Sequence, residues 1–511
     1  MSRIAPPAPQ DALEPLPALA SATAARSSGP ERAPAPAPGG SRAAAAKRSR
    51  DVAPFDEGAA DGERATEHDR VMLESLRGLD LGELSAAVAG EAARRGVCFG
   101  AGDGELEFRI DPVPRLFDAA QWRELSAGIA QRVRALELFV RDVYGEQAIV
   151  REGVVPKRAL AGAEHFEPRL SGAGERIGPW ITVAGLDVVR DCDGSFKVLE
   201  DNVRTPSGIA YAVATREALD AHMPAPSGLR VRPLDSAFDT LAQALRSAAP
   251  PGAGEQPTVV VLSDGESNSA FYEHVTIARR LAIPLVLAEQ LAVRDGRLIA
   301  RVDGRESEVD VVYRRTDEDR LTDDSGAPTA VAELLLEPLL AGTLGCVNAF
   351  GTGVADDKLL HAYVEEMIRF YLSEQPLLGS VPTYDPAQPG VLEMVLERID
   401  ELVVKPRSGH GGYGVVIGPH ARDEDLRRTA QQLRSAPESF VAQETVMLSR
   451  HPTVIDGRLQ PRHVDLRPFA IAVGDDIHVL PGGLTRVAFD AGALVVNSSQ
   501  NGGSKDTWVL S

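Results

Sequence analysis

Between Asp118 and Gly145 apolar residues return every three or four positions, at Trp122, Leu125, Ile129, Val133, Leu136 and Val140. That spacing predicts one face of a long helix, which Asp118 can cap and Gly145 can end. A different pattern governs "WITVAGLDVVRD" and "SFKVLEDN", apolar runs of strand length on either side of the turn "CDG". They predict a β-hairpin, and both strands end in acids. From Pro257 the chain reads "TVVVLSDG", "SAFYEHVTIARRLAI" and "PLVLAEQLAVRDGRLIA", which predicts strand, helix and strand in the manner of a βαβ unit. "VDVVYRRTDED" predicts a further strand with charges at its C-terminal end, where open α/β sheets bind ligands. "ADDKLLHAYVEEMIRFYLSE" predicts a single amphipathic helix, with Leu360, Tyr363, Val364, Met367, Ile368 and Tyr371 on one face and Lys358 in its first turn. Beyond residue 400 short strands alternate with glycine turns, and no internal repeat is present.

Composition separates the N-terminus from the rest. Of the first 50 residues 24 are Ala or Pro, and no apolar periodicity survives there, which predicts a disordered tail over residues 1–66. Its acids and bases balance at eight each, so the net charge of -20 belongs to the remainder of the 511-residue chain. Such a surplus of acid argues against nucleic acid or an anionic membrane as partner. No apolar block has the length of a membrane span or signal core. Cys98, Cys192 and Cys346 lie far apart in no metal-ligand spacing, so a reducing cytoplasm is the expected location. The histidines are scattered, with no Ser/His/Asp or Cys/His arrangement; His410 is set apart by its place in a glycine-rich loop.

The candidate chemistry begins at Lys405, a lysine in the apolar strand "LVVKP". An ammonium there is costly unless it meets an anion. The loop that follows supplies Gly409, Gly411, Gly412 and Gly414, which permit positive φ and let backbone N–H groups cap phosphate oxygens. It is not a P-loop, because the lysine precedes the glycines. A glycine-rich hairpin with a snorkelling lysine accounts for the same residues. In "SFVAQETVMLS" Gln443 and Glu444 interrupt a β-like run that continues through Val446. Backbone groups there can read an adenine while the acid holds a ribose hydroxyl, and an edge strand with solvent-facing polar residues explains the pattern equally. In "VLEDNVRTPSG" Glu200 and Asn202 stand two apart on a strand and share a face. Asp187, on the partner strand, can complete an all-oxygen seat of the kind Mg²⁺ takes, the alternative being a solvated acidic hairpin end.

Seven blocks, "VLEDNVRTPSG", "NSAFYEH", "VVYRRTDED", "GVADDKLLHAYV", "VVKPRSGHGGYG", "RHVDLRPF" and "VVNSSQNGGSKDTWVL", resemble the circularly permuted ATP-grasp family (type 2). They are distantly similar to the synthetase half of glutathionylspermidine synthetase. The resemblance implies an α/β (α+β) fold in which the metal-binding hairpin, last in an ordinary ATP-grasp domain, precedes the glycine loop. It also implies an inserted Rossmann-like pre-ATP-grasp α/β module. The parts expected after the tail are 67–250 with the hairpin, 256–350 as that module, and 351–511 as the nucleotide-binding part. By the same resemblance Lys358 and Lys405 neutralise ATP phosphates, the glycine loop closes over them, and Asp187, Glu200 and Asn202 hold Mg²⁺. Arg467 and Arg486 are the inferred clamps of the transferring phosphoryl group, since phosphoryl transfer demands placement and charge stabilisation. Either arginine fits a structural ion pair as well.

The implied reaction is ATP-dependent, ADP-forming ligation of a carboxylate to an amine through an acyl phosphate. The alternatives are a phosphotransferase and an ATP-binding scaffold with little turnover. Substrate candidates are Asn268 and Glu273 in "SNSAFYEH", Arg314, Arg315 and Asp317 in "YRRTDED", and Arg204 and Ser207 in "VRTPSG". A helix N-terminus and paired arginines can hold a carboxylate, while a capping box plus an ion pair would look the same. Where relatives tend to have a Thr-Pro-Gly turn, this chain has "SDGES", which adds Asp264 and Glu266 to the substrate side. The expected partners are small-molecule or peptide acids and amines, with room for a protein partner.

Overall fold

The computed structural model of this chain describes residues 53–58, 66–100, 106–318, 320–323, 325–408, 414–493, 496 and 502–511. Strand β1 (Ile110–Phe117) leads into helix α1 (Ala119–Val143), which Asp118 opens through a capping box with Gln121. The expected apolar stripe of α1 is buried in the largest core. After the short strand β2 (Val183–Gly185), the expected hairpin forms as β3 (Asp187–Arg190) and β4 (Phe196–Glu200). Its register pairs Asp187 with Glu200 and Val188 with Val198, with a bulge between the first two pairs. Helix α2 (Ile209–Asp220) follows.

Gly194, at φ +87°, turns this hairpin, and a Cβ there would meet the Phe55 ring at 2.7 Å. Phe55 lies within the stretch expected to be a structureless tail, so that boundary is corrected. Arg450 grips Asp56 at 2.7 and 2.8 Å, and Arg115 grips Glu57 at 2.7 and 2.8 Å. Burial would raise the Glu57 carboxyl, but Arg115 and Arg190 hold it at about 2. These long-range ion pairs override the local composition. Residues 1–52 of the expected tail lie outside the described residues.

Strand β5 (Val259–Ser263), helix α3 (Phe271–Leu281) and strand β6 (Leu285–Val286) form the expected strand–helix–strand succession. With β7 (Val311–Arg315) and β8 (Gly345–Val347) they make an all-parallel sheet in the order β8-β7-β5-β6. The run expected as one strand from Pro284 breaks after Val286 into a three-stranded antiparallel meander over 291–309. The turn Ala288–Gln290 makes the break, and two Asp-Gly pairs turn the meander. Asp295–Gly296 (φ 51° and 70°) and Asp303–Gly304 (φ 49° and 74°) supply the left-handed turns of tight hairpins. Asn348, just past β8, ties this sheet to the start of β2 and to the segment after β4. Its Oδ1 accepts from the Thr182 and Val183 N–H groups at 2.9 Å, and its Nδ2 donates to the Val183 and Val203 carbonyls at 2.7 and 2.6 Å.

The single helix expected around Lys358 is interrupted. One turn, α4 (Lys358–His361), stops before Tyr363, and a second short helix (Val364–Met367) and a π turn (Ile368–Leu372) follow. The Tyr363 hydroxyl donates to Asp385 at 2.9 Å, an anchor outside the helix that the apolar pattern does not register. Next come β9 (Gly379–Ser380), β10 (Thr383–Tyr384), β11 (Leu402–Pro406), β12 (Val416–Ile417) and β13 (Phe440–Glu444). The last four of these form an antiparallel sheet ordered β10-β13-β11-β12. On β11 the period of two sends Leu402 and Val404 into a core with Val395 and Leu433, which leaves Val403 and Lys405 for the opposite face. Strands β14 (Arg450–Ile455), β15 (Arg458–Val473), β16 (Asp476–Ala488) and β17 (Gly502–Val509) complete a nine-stranded sheet along the path β9-β4-β3-β15-β16-β17-β1, with β2 and β14 also pairing β15. No helix among the described residues is long and apolar enough to cross a membrane.

Candidate functional site

A cavity of about 420 Å³ opens where the ends of β3 and β4 face β11 and β13. Segments far apart in sequence meet here. Asp187, Glu200, Asn202, Lys358, Lys405, Gln443, Glu444, Val446, Arg467 and Arg486 all line it. The Glu200 carboxylate at the end of β4 stands 4.0 Å from the Lys405 ammonium on β11.

Lys405 is buried, and no hydrogen bond ends on its ammonium among the described residues. Burial pulls its pKa below the ordinary lysine range and Lys358 adds to the fall, against the pull of Glu200 and Asp187. A buried cation without a close partner is stabilised by an anion. Beside it, β4 ends at Glu200, so Asn202 lies just past the strand; the Gly185 N–H donates to the Asn202 carbonyl at 2.9 Å and prolongs the ladder. The Asn202 Nδ2 is buried without a hydrogen-bond partner. Among the described residues no three of His, Cys, Asp and Glu gather into a metal cage. A Mg²⁺ seat made of a carboxylate, an amide oxygen and phosphate oxygens needs none, and the donors present fit one.

Asp187 stands in different surroundings. Arg467 grips its two oxygens at 2.7 and 3.0 Å, and Arg486 donates to it at 2.8 Å while also binding Asp465. Burial would raise the Asp187 carboxyl, yet Arg467 and Arg486 hold it at about 2. Both inferred clamps are therefore ion-paired and at the cavity wall at once. Asp187 can reach a metal through its remaining lone pairs.

Two further ion pairs, absent from the sequence-based set, tie the pieces together. Asp201 sits between Glu200 and Asn202 and is held by Arg132 at 2.6 and 2.8 Å and by His361 Nδ1 at 2.7 Å. His361 shares the single turn of α4 with Lys358. Burial would raise the Asp201 carboxyl, but Arg132 and His361 hold it well below the usual range. Asp357 caps α4 and takes Arg407 Nε at 2.8 Å on both oxygens. Arg407 lies two residues past Lys405, on the same alternation as Val403 and Lys405, and that period was the signal that could have marked it. The end of β4, the Lys358 helix and the Lys405 strand are thus linked one to the next by buried side chains.

The nucleotide side is less open than expected at one point. Gln443 Nε2 donates to Thr383 Oγ1 at 2.9 Å and to the Leu199 carbonyl at 3.3 Å. Glu444 is taken by Arg398 at 2.9 Å on each oxygen and by the Tyr384 hydroxyl at 2.6 Å. At Gly414, φ +72°, an added Cβ would meet Pro406 at 2.8 Å, whereas Gly409, Gly411 and Gly412, with His410, lie outside the described residues.

Of the substrate candidates, Arg204 and Ser207 line the cavity. Arg204 faces Asp356 at 3.8 Å and His165 at 3.3 Å. Asn268, Glu273, Arg314, Arg315 and Asp317 do not line it. Arg315 already holds a carboxylate of the chain itself, that of Glu273, at 3.0 Å, and donates to the Pro206 carbonyl at 2.8 Å. Glu273 in turn accepts the Gly208 and Ala210 N–H groups that open α2, at 2.8 and 2.9 Å. Asn268 donates to Asp317 at 2.9 Å, and Arg314 packs 4.8 Å from the Phe350 ring centre. Of the five, Arg315 and Glu273 brace the 206–210 turn from behind.

Residues 114–488 match the model of the family described as circularly permuted ATP-grasp type 2. A Mycobacterium tuberculosis protein is 45% identical over 420 residues, which cover 81% of this chain and 76% of that protein. A Synechocystis protein is 43% identical over 409 residues, 80% of this chain and 85% of its own length. A Frankia casuarinae protein bearing the name "Putative glutamate–cysteine ligase 2-2" is 44% identical over 453 residues, 86% of this chain and 52% of that protein. Among solved structures, a glutathione synthetase-like effector from Globodera pallida, in its apo form, shares the fold at a TM-score of 0.55 and 12% identity, over 84% of this chain and 96% of its own.

Proposed function

As the chain belongs to the circularly permuted ATP-grasp type 2 family, we propose that it is an ATP-dependent carboxylate–amine ligase that forms ADP and an acyl phosphate on the way to an amide. The observation that carries this reading is the buried Lys405 ammonium, whose nearest counter-charge, Glu200, is 4.0 Å away. Such an arrangement suits a phosphate chain received between Lys405 and Lys358. Gln443 through Val446 would take the adenine side by backbone contact.

Glu200 and Asn202 would hold Mg²⁺, with Asp187 adjoining, and the ion when bound would neutralise charge on the phosphates. In the first step a carboxylate oxygen of the substrate bonds to the γ-phosphorus as the bond to the bridging oxygen of ADP breaks. A neutral amine then attacks the acyl carbon, inorganic phosphate leaves, and the amine proton passes to solvent. No side-chain nucleophile is required. Arg467, fixed by two bonds to Asp187, presents its remaining donor surface to the cavity without reorganising, which is how a preorganised cation stabilises developing charge. The Frankia protein's printed name belongs to the same class of reaction, on a protein of which this chain matches about half. Cys98, Cys192 and Cys346, none of them in a disulfide among the described residues, suit a cytoplasmic location.

The test is ADP release with Mg-ATP and pairs of acids and amines. Hydroxylamine in place of the amine should yield a hydroxamate from the acyl phosphate. A stable phosphorylated acceptor would convert the reading to a phosphotransferase. Binding of Mg-ATP with no acid-dependent ADP would leave only a scaffold.

A further inference from the structure

The cavity has a second end. From Asp187, Arg467 leads to the Ser207 carbonyl at 3.4 Å, and the first turn of α2 then brings Tyr211 into the wall. Tyr211 stands between Phe108, with ring centroids 4.9 Å apart, and Phe99, 6.0 Å away; all three line the cavity. The Lys405 side and this aromatic side thus face each other across Asp187 and Arg467.

The polar groups around the rings are already engaged. The Gly208 and Ala210 N–H groups at the N-terminus of α2 donate to Glu273, Glu273 is paired with Arg315 at 3.0 Å, and the Tyr211 hydroxyl donates to the Cys98 carbonyl at 3.0 Å. The N-terminus of α2 and the Arg315 guanidinium are thus closed to a second negative charge, and Arg204, also in the cavity wall, faces Asp356 and His165. What this end offers a ligand is ring surface.

We propose that the carboxylate substrate is an aromatic or comparably flat apolar acid, with its carboxylate toward Arg467 and its ring against Tyr211, Phe108 and Phe99. The inference rests on the ligase reading of the same cavity and specifies the acid. Rings of this kind favour edge-on or offset partners, and a largely apolar pocket with a few placed polar groups selects by shape. A dicarboxylate would have to bury its second charge unpaired, which is costly. Glutamate, the acid in the name of the Frankia relative, is therefore the informative competitor.

Calorimetry on the full chain with Mg-ADP present, titrating 3-phenylpropionate and glutamate, reads the binding claim. Hydroxamate formation with the same two acids reads the chemical one. The aromatic acid should bind at least about tenfold more tightly, and Tyr211→Leu and Phe99→Leu should each weaken it by about tenfold with ADP affinity unchanged. Equal or tighter binding of glutamate, no binding of 3-phenylpropionate, or a loss confined to the nucleotide overturns the proposal. Aromatic binding without hydroxamate sinks the ligase reading and leaves the aromatic end standing, whereas hydroxamate from glutamate alone does the reverse. Should Tyr211→Leu fail to fold, Phe99→Leu, at the half-buried rim, decides.

Discussion

Two kinds of acid share one cavity. Asp187, Asp201, Asp357 and Asp465 are each closed by arginine in hydrogen-bonding contact. Glu200, by contrast, has the Lys405 ammonium at 4.0 Å, and its neighbour Asn202 keeps an unpartnered buried Nδ2. Saturated charges form the frame, while unsaturated ones are left for a ligand. The largest expected effect breaks this contrast at its open side. Lys405→Met and Glu200→Gln should each cut ADP formation by roughly 10³-fold, the scale of losing one preorganised charge partner. The Lys405→Met midpoint should hold or rise, because a buried cation is itself a cost, whereas Glu200→Gln should lower it by removing the counter-charge of Lys405. Normal turnover by either variant would put the phosphate slot elsewhere.

Breaking the closed side should do the opposite. Asp201→Ala leaves Arg132 buried and uncompensated, at a cost of about 3–5 kcal/mol in denaturant unfolding. Asp201→Asn, which keeps one acceptor oxygen for Arg132, should recover part of that loss. If Asp201→Ala unfolded at the wild-type midpoint, the link from β4 to α4 would not be structural.

The closed acids also predict how stability follows pH. Asp187 is held at about 2 against an ordinary 3.8, and Glu57 at about 2 against 4.5. A lowered folded-state value contributes stability that is complete above the ordinary value and disappears as pH falls through the folded one. Each acid should therefore lose roughly 2–3 kcal/mol between about pH 4.5 and 2, at 1.4 kcal/mol per unit. Replacing Glu57 with Gln should flatten the slope of the denaturation midpoint against pH in that window. An unchanged slope would mean that the Arg115 pair does not form.

The open residues were legible in the sequence for a physical reason: they break a local pattern. A lysine in an apolar strand and an acid–amide pair at a strand end are anomalies visible within ten residues. The frame was not legible, because Arg132, His361, Arg407 and Phe55 look ordinary until partners far along the chain arrive. Arg315 was legible as either a carboxylate clamp or an ion pair, and the structure pairs it with Glu273. The hairpin and the strand–helix–strand unit followed from period and turn residues, while the turns at Ala288–Gln290 and Asp295–Gly296 were overlooked and split an expected strand. The break at Tyr363 depends on Asp385, which no window over the helix contains.

Glu444 gives the finest division between the two classes, because it lines the cavity yet has its carboxylate filled. The sequence left it as a ribose ligand or a solvent-facing residue of an edge strand; Arg398 and Tyr384 hold both oxygens. The Arg398 guanidinium is about a third exposed, so solvent screens the pair. If Glu444 belongs to the frame, Glu444→Gln should lower stability by about 1 kcal/mol or less, with KM for ATP within about threefold of wild type. If it belongs to the open class, stability should hold while KM for ATP rises tenfold or more, as for a lost charge-assisted hydrogen bond to a hydroxyl. Arg398→Ala sharpens the choice. A frame acid released from its arginine loses the same stability as Glu444→Gln, and the double variant adds little further. A ribose ligand would bind nucleotide at least as well once freed from that competitor, so KM for ATP under Arg398→Ala separates the two roles by sign rather than by size.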